Sequence, residues 1–366
     1  MVVSTGGEHD NLRLYSNKFV YELAIATTDE CPIRCAHCLM KSGPERKERL
    51  TSSEIIEYID FVRSSNPLKV VVFTGGESTL LGDELLEAIA YCSETGLSTR
   101  IVTNAYWATD DSKSEEIIND LRDAGLSEIN ISTDDFHAVW VPLDNVKRAW
   151  NASKHKGFET VLIAVCRGPR SKVTADMLKE FLGEPGSLIF EESNGRSQLP
   201  DRSADGTVYG ISNTKIARLG RGRRLKNQYF EDNQSGVGLF GGCNGIFRPI
   251  TLMADGTGGV CCGINAEGNN VLSLGRVFKK TGGVDIPRPS SEQQALLNAI
   301  GVLGPAYLYQ LATGTDNEFI RQKFHPVCEL CEEVTTNNDL LQILYANLNQ
   351  ILADTAAMKI MKEAVR

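Results

Sequence analysis

The sequence predicts an α/β fold: a partial (β/α)6 barrel followed by a small cysteine-rich module built from a β-hairpin and helix. Three observations predict it. Between about residue 20 and residue 190, short apolar runs alternate with amphipathic stretches, as in a parallel sheet covered by helices. Several of those stretches open on Ser, Thr or Asp and close on Gly96, Gly125 or Gly157, as helix caps do. Eight of the ten cysteines fall into two groups, one near the start and one in the last third, leaving only Cys92 and Cys166 isolated.

In chain order, the apolar runs place strands at residues 21–27, 69–74, 99–103, 128–132, 160–165 and 187–190. The amphipathic stretches place helices at 52–64, 80–95, 112–124, 142–156 and 174–182. The barrel is expected over residues 18–190. From 191 to 240 the pattern weakens into Gly, Ser, Asn and Arg, which reads as a loop-rich bridge. Its charges, Arg218, Arg221, Arg223, Arg224 and Lys226, could hold an anionic substrate group but read more simply as a solvated loop. Residues 241–335 form the cysteine module, with a hairpin of residues 247–253 and 259–263 across Ala254-Asp255-Gly256. A helical tail occupies 336–366, with Leu340, Leu341, Leu344 and Leu348 at helix spacing.

The 366 residues suffice for about two domains, and 42% hydrophobic residues can build real cores. No basic flank precedes an apolar run at the start, and no stretch of about eighteen apolar residues occurs. Neither export nor a membrane span is expected, and the cytoplasm is the expected compartment. A net charge of −9 is opposite to what a phosphate-backbone binder needs, so nucleic acid is not an expected partner. In a reducing compartment the cysteines do not form a disulfide framework.

Cys31-Pro-Ile-Arg-Cys35-Ala-His-Cys38 directly follows the first strand, at the end where α/β barrels assemble active sites. Three thiolates on a tight loop can hold three irons of a [4Fe-4S] cube and leave the fourth without a protein ligand. A structural zinc site would need a second ligand pair nearby, which this spacing lacks; His37 could complete one only by straining beside Cys38.

This loop resembles the signature of the radical S-adenosylmethionine (SAM) superfamily, C-x3-C-x2-C after the first strand of a partial barrel. The resemblance implies that the open iron chelates the amino and carboxylate groups of SAM, and that an electron from the cluster yields a 5'-deoxyadenosyl radical. It places His37, before the third cysteine, near the adenine. Gly75-Gly76-Glu77 after the second strand looks like the family's glycine-glycine-glutamate segment, which receives the SAM amino group. From the residues alone, the two glycines would let backbone approach a ligand closely. Asn104, Ser132 and Asp134, at the ends of the third and fourth strands, stand where the family places polar contacts to SAM. Arg167 could clamp a carboxylate of SAM or substrate, or be an exposed loop arginine. His137 could move a proton or bind substrate, or simply fix its loop by hydrogen bonding. The family also implies an external flavodoxin- or ferredoxin-like electron donor.

In the second group, Cys328-Glu-Leu-Cys331 supplies a pair, and the hairpin adds Cys243 and Cys261. This resembles the auxiliary-cluster module called twitch, related to SPASM, and implies a second [4Fe-4S] cluster; four cysteines suit zinc as well. Successive strand residues point to opposite faces, so Cys261 and Cys262 do not both ligate. Cys261 is the preferred ligand and Cys262 the spare thiol. Cys92 reads as helix packing, and Cys166 as a minor rival for thiol chemistry.

The resulting expectation is a radical SAM enzyme epimerising a residue of a ribosomal peptide or small natural product, with Cys262 returning hydrogen. Oxidative cross-linking or dehydrogenation through the auxiliary cluster is the alternative. A non-enzymatic electron-transfer protein is the reading from another class, and it leaves Gly75-Gly76-Glu77 unexplained.

Overall fold

The computed structural model describes residues 19–184, 189–191, 202–231, 238–261 and 263–364. The chain divides into two units, one of Ala24–Ile56 and Lys69–Asp232, the other of Met1–Leu23, Glu57–Leu68 and Asn233–Arg366. The boundary expected at residue 240 therefore falls a few residues earlier, and a short stretch, 57–68, joins the second unit.

The first unit is built on a sheet in the order β1-β2-β3-β4-β5-β7-β6. Its strands are β1 (Glu22–Thr28), β2 (Val70–Gly75), β3 (Ser98–Thr103), β4 (Glu128–Thr133), β5 (Thr160–Arg167), β6 (Ile189–Glu191) and β7 (Val208–Lys215). Every registered pair from β2 to β6 is parallel. Helices α1 (Ser52–Ser65), α2 (Asp83–Glu94), α3 (Asp111–Asp123), α4 (Leu143–Ser153) and α5 (Ala175–Leu182) connect the strands. Side chains alternate across a strand, and the burial follows. Ile101, Ile129, Ile131, Val161, Ile163 and Val165 are buried, whereas Val102, Asn130, Ser132, Leu162, Ala164 and Cys166 on the alternate face stay half-buried. That less covered face is where the strand ends can serve a ligand.

Two helix starts are secured as their sequences predict: Lys113 N donates to Asp110 Oδ1 at 2.8 Å, and Met177 N to Thr174 Oγ1 at 3.2 Å. Each such cap contributes about 1 kcal/mol by satisfying an amide that the helix leaves unpaired.

β7 departs from expectation, since it lies inside the segment read as a bridge. It pairs with all of β5, from Thr160↔Val208 to Arg167↔Lys215, and relegates the three-residue β6 to its far side. The first half of β7 is largely buried, but its second half is Ser-Asn-Thr-Lys. A polar half conceals a strand from any reading of apolar periodicity, while ladder hydrogen bonds need only backbone.

The second unit contains the antiparallel set β8 (Pro249–Leu252), β9 (Thr257–Gly259) and β10 (Ser273–Arg276). Six helices follow: α6 (Ser291–Val302), α7 (Pro305–Thr313), α8 (Asn317–Lys323), α9 (Val327–Thr336), α10 (Asn338–Ala346) and α11 (Leu348–Ala364). The expected hairpin forms, with Asp255 accepting from Thr257 N at 2.9 Å in its turn. Its second strand runs ahead of the expected 259–263 and ends at Gly259, so Cys261 lies just beyond the ladder. Leu296, Leu297, Ile300, Leu308, Leu330, Val334 and Leu344 are buried in this unit. Among the described residues, no single helix is long and apolar enough to cross a membrane.

Candidate functional site

β1 delivers the chain into the loop that carries Cys31, Cys35 and Cys38. Cys31 and Cys35 are buried with Ile33 and Val141, and Cys38, Tyr106 and Phe136 pack against that apolar group. Burial pushes the Cys31 thiol up to about 12, against a backbone hydrogen bond at Ile33 and the nearby Arg221 guanidinium. Cys35 is raised as well, first by burial, then by Asp134 and the other two cysteines. Without cations, the Cys31 and Cys35 thiols stay protonated; bound iron, which holds its thiol ligands deprotonated, would supply the missing charge. The donor set therefore fits a [4Fe-4S] cluster.

Three features hold this loop. The Arg221 backbone N–H donates to Cys38 O at 2.9 Å, its Nε to Cys35 O at 2.8 Å and its Nη1 to Ser42 O at 2.7 Å. Gly220, at φ +54°, lies so close to the loop that a Cβ there would come within 2.3 Å of Leu39 O. Asn104 Nδ2 lies 3.5 Å from Cys31 Sγ as a donor. Arg221 was expected in a solvated loop; instead its guanidinium clasps two carbonyls of the cysteine loop, a pairing about 180 residues apart along the chain. Arg221→Ala should lower thermal stability by about 2–4 kcal/mol, since it removes charge-assisted bonds of about 1.5–3 kcal/mol each with partial solvent compensation. Differential scanning calorimetry checks this, and Arg221→Lys should recover only part, having no planar fork.

The Gly75-Gly76-Glu77 segment is packed tightly against the end of β1. A Cβ on Gly76 would lie 1.9 Å from Glu30 O, and one on Gly75 2.6 Å from Thr28 O. The glycines thus admit the backbone just past β1, and Gly76 N and Glu77 N donate to Thr28 O and Glu30 O. Glu77 is fully buried: Oε1 accepts from Thr79 Oγ1 and Thr103 Oγ1, and Oε2 from Asn104 N, all at 2.8 Å. Its carboxylate is held by these protein donors, and it braces the turn that aims Asn104 at Cys31.

Asp134, at the end of β4, is buried and gathers four groups. Oδ1 accepts from Phe136 N and His137 N at 2.8 and 2.9 Å. Oδ2 lies 2.9 Å from both His37 Nε2 and His137 Nδ1. Burial acts to raise its pKa, and the two histidines overcome this, holding the carboxyl well below its usual range. The His37 ring stacks on Phe136 at 4.8 Å and meets His137 edge-on at 5.1 Å. His37, Asp134 and His137 are thus brought together as one assembly, which was not foreseen. The four-residue run Asp134-Asp135-Phe136-His137 was the only sequence signal for it.

Ser132 lies on the half-buried face of β4, opposite Ala164 of β5. Arg167 does not present an unengaged guanidinium: Nη1 lies 3.2 Å from Glu231 Oε1, and Lys215 Nζ reaches the same carboxylate at 3.1 Å. On the same open face as Ser132, burial pushes the Cys166 thiol up to about 12.

In the second unit, Cys328 and Cys331 stand on α9, where spacing i, i+3 puts both on one helix face rather than in a knuckle. A Cβ on Gly263 would lie 3.1 Å from Cys328 Sγ, so the glycine leaves room for that thiol. Cys243 N donates to Ile300 O at 2.9 Å, tying this cysteine to α6. Cys331 is pushed well above its ordinary pKa, first by burial and then by Cys261, Cys328 and Cys243. Cys261, Cys328 and Cys243 therefore lie within electrostatic reach of Cys331. Cys262 lies outside the described residues.

Comparison with known proteins bears on the first unit. Residues 25–168 match the Radical SAM superfamily. A Bacillus subtilis (strain 168) protein assigned to peptide biosynthesis, YydG, is 24% identical over 132 residues, covering 36% of this chain and 41% of its own length. A probable GTP 3',8-cyclase of Methanothermobacter marburgensis is 31% identical over 190 residues, covering 50% of this chain and 58% of that protein. The matched stretch thus spans less than two thirds of either relative. Among solved structures, anSMEcpe with bound AdoMet and a peptide aligns over 91% of this chain and 99% of its own, at 11% identity and a TM-score of 0.48. Three cysteines in a loop that follows β1, on a parallel sheet within the matched residues, make this chain the bearer of a radical SAM superfamily domain.

Proposed function

We propose that the protein is a radical SAM enzyme that modifies a peptide, with a second [4Fe-4S] cluster held by Cys243, Cys261, Cys328 and Cys331. The observation that carries the cofactor reading is the clustering of Cys31, Cys35 and Cys38 in one loop, two of them buried, with Asn104 donating to one sulfur. The peptide reading is supported by the likeness to YydG. When bound, the first cluster and SAM supply a 5'-deoxyadenosyl radical able to take hydrogen from an unactivated carbon.

The chain's own residues set the surroundings of that chemistry. Ile33, Val141 and Phe136 exclude water beside the cysteine loop. Asp134 holds His37 Nε2 and His137 Nδ1 at 2.9 Å from one oxygen and so fixes both rings beside the cysteine loop. The polar ends of β3 and β4, at Asn104 and Ser132, stand where SAM would be met.

For the outcome we assign epimerisation: the substrate carbon loses a hydrogen atom to the deoxyadenosyl radical and receives one from a cysteine S–H on its other face. The thiyl left behind would take up one electron, delivered through the second cluster from an external one-electron donor, and one proton from solvent. Cys262, next to a cluster ligand in sequence, is the assigned donor. Anaerobic turnover of a candidate peptide in deuterated water should give a one-dalton gain and inverted stereochemistry. In Cys262→Ala, 5'-deoxyadenosine should still form while inversion disappears; Cys166→Ala should invert normally. A two-dalton loss from the peptide would instead mark oxidative cross-linking or dehydrogenation, which the same four cysteines would serve.

A further inference from the structure

The cysteine loop has an outer side that the chemistry above leaves unused. Ile33 and Cys35 are buried, but Arg34 between them is exposed. Beside it opens a groove of about 350 Å³ lined by Arg34, Lys41, Glu45, Arg221, Arg223 and Arg224. Arg34, Lys41, Arg223 and Arg224 are exposed, while Arg221 is turned inward onto Cys35 O and Ser42 O. Among the described residues lining the groove, five are cations and one, Glu45, is a carboxylate, which pairs with Arg34. This concentration of positive charge occurs in a chain whose net charge is −9.

Two sequence-distant segments build the groove, the cysteine loop and the 3-10 turn Gly220–Arg224. They are locked together by the Arg221 contacts and by the close approach at Gly220. Charge density so placed is not the scatter of an ordinary solvated loop. Arg34 is bonded directly to Cys35, and Arg221 reaches the carbonyl of that same cysteine. A partner resting on this groove therefore comes within a few bonds of Cys35.

We propose that Arg34, Lys41, Arg223 and Arg224 form the docking surface for an acidic one-electron carrier protein, which reduces the cluster held by Cys31, Cys35 and Cys38. The proposal rests on the radical SAM reading of that loop. One electron leaves the carrier, which is oxidised by one unit, and the cluster is reduced by one; no proton or bond change is required. Positive charge at the groove steers an acidic partner to it and orients it, raising the association rate at low salt. A small reductant such as dithionite has no need of the whole surface.

The test compares reduction of the reconstituted protein's cluster, followed by loss of its visible absorbance in stopped flow, by flavodoxin hydroquinone and by dithionite. The variants are Lys41→Glu/Arg223→Glu/Arg224→Glu, which spares the cysteine loop, and Arg34→Gln. In the triple variant the second-order rate with flavodoxin should fall at least about tenfold at low ionic strength. Its iron content should be unchanged and its dithionite rate within about twofold of wild type. The wild-type rate should fall as salt rises, and the triple variant's rate should be nearly flat. Arg34→Gln should show a smaller loss of the same kind. Equal flavodoxin rates in wild type and triple variant would overturn the proposal, as would an equal loss with both reductants, which would mark damage to the loop. Unchanged reduction with weakened binding of an acidic peptide would overturn it in favour of a substrate surface. A wild-type protein that takes up no iron at this loop would instead sink the radical SAM reading itself.

Discussion

Replacing Cys31, Cys35 and Cys38 together by Ala should abolish SAM cleavage and leave about four of about eight irons per reconstituted chain. The effect is expected to be complete, because these thiols are the whole protein contribution to the first cluster. Cys31 and Cys35 are enclosed by Ile33 and Val141, so no solvent-borne ligand readily takes their place. Iron analysis and chromatographic detection of 5'-deoxyadenosine check both parts. Persistent SAM cleavage in the triple variant would remove the assignment of this loop, and loss of all iron would count against a second cluster at Cys243, Cys261, Cys328 and Cys331.

Glu77→Ala should destabilise the first unit by about 3 kcal/mol and lower iron retention along with SAM affinity. Truncation leaves Asn104 N, Thr79 Oγ1 and Thr103 Oγ1 without their buried acceptor, at about 1–3 kcal/mol for each group that finds no new partner. Iron enters because Asn104 N is held by Glu77 while Asn104 Nδ2 addresses Cys31 Sγ. A purely SAM-contacting glutamate would leave iron and melting temperature untouched, so calorimetry with iron analysis separates the two roles.

The charge of Glu77 gives a second readout. Burial raises its pKa, outweighing the hydrogen bonds from Asn104, Thr79 and Thr103. A carboxyl whose folded pKa is raised contributes stability below its unfolded value, about 4.3, and that contribution is lost as pH rises through the folded value. Glu77→Gln has no such loss, so its melting temperature should gain on wild type as pH is raised from about 4 toward neutrality. A difference that stays constant with pH would refute a buried, destabilised charge at this position.

Most of the architecture was legible before any coordinates. Six of the strands and the five helices between them are read from local alternation and capping residues, since the period of apolar side chains reports which face of each element is covered. The cysteine loop was legible because three ligands within eight residues need no knowledge of the fold. β7 was not, because half of it is polar and its place beside β5 is set by backbone pairing.

The covalent chain therefore specified the identity and local spacing of the donors: Cys31, Cys35, Cys38, the Cys328 and Cys331 pair, and the glycines that follow β2. Folding alone settled what surrounds them. Arg221 reaches Cys35 from a segment that resembles solvated loop, Glu77 braces Asn104, and Asp134 draws His37 and His137 onto one oxygen. Each of these depends on groups tens to hundreds of residues apart meeting in a buried place. There, an unmet donor or charge is costly, and partners are chosen by proximity in space rather than along the chain.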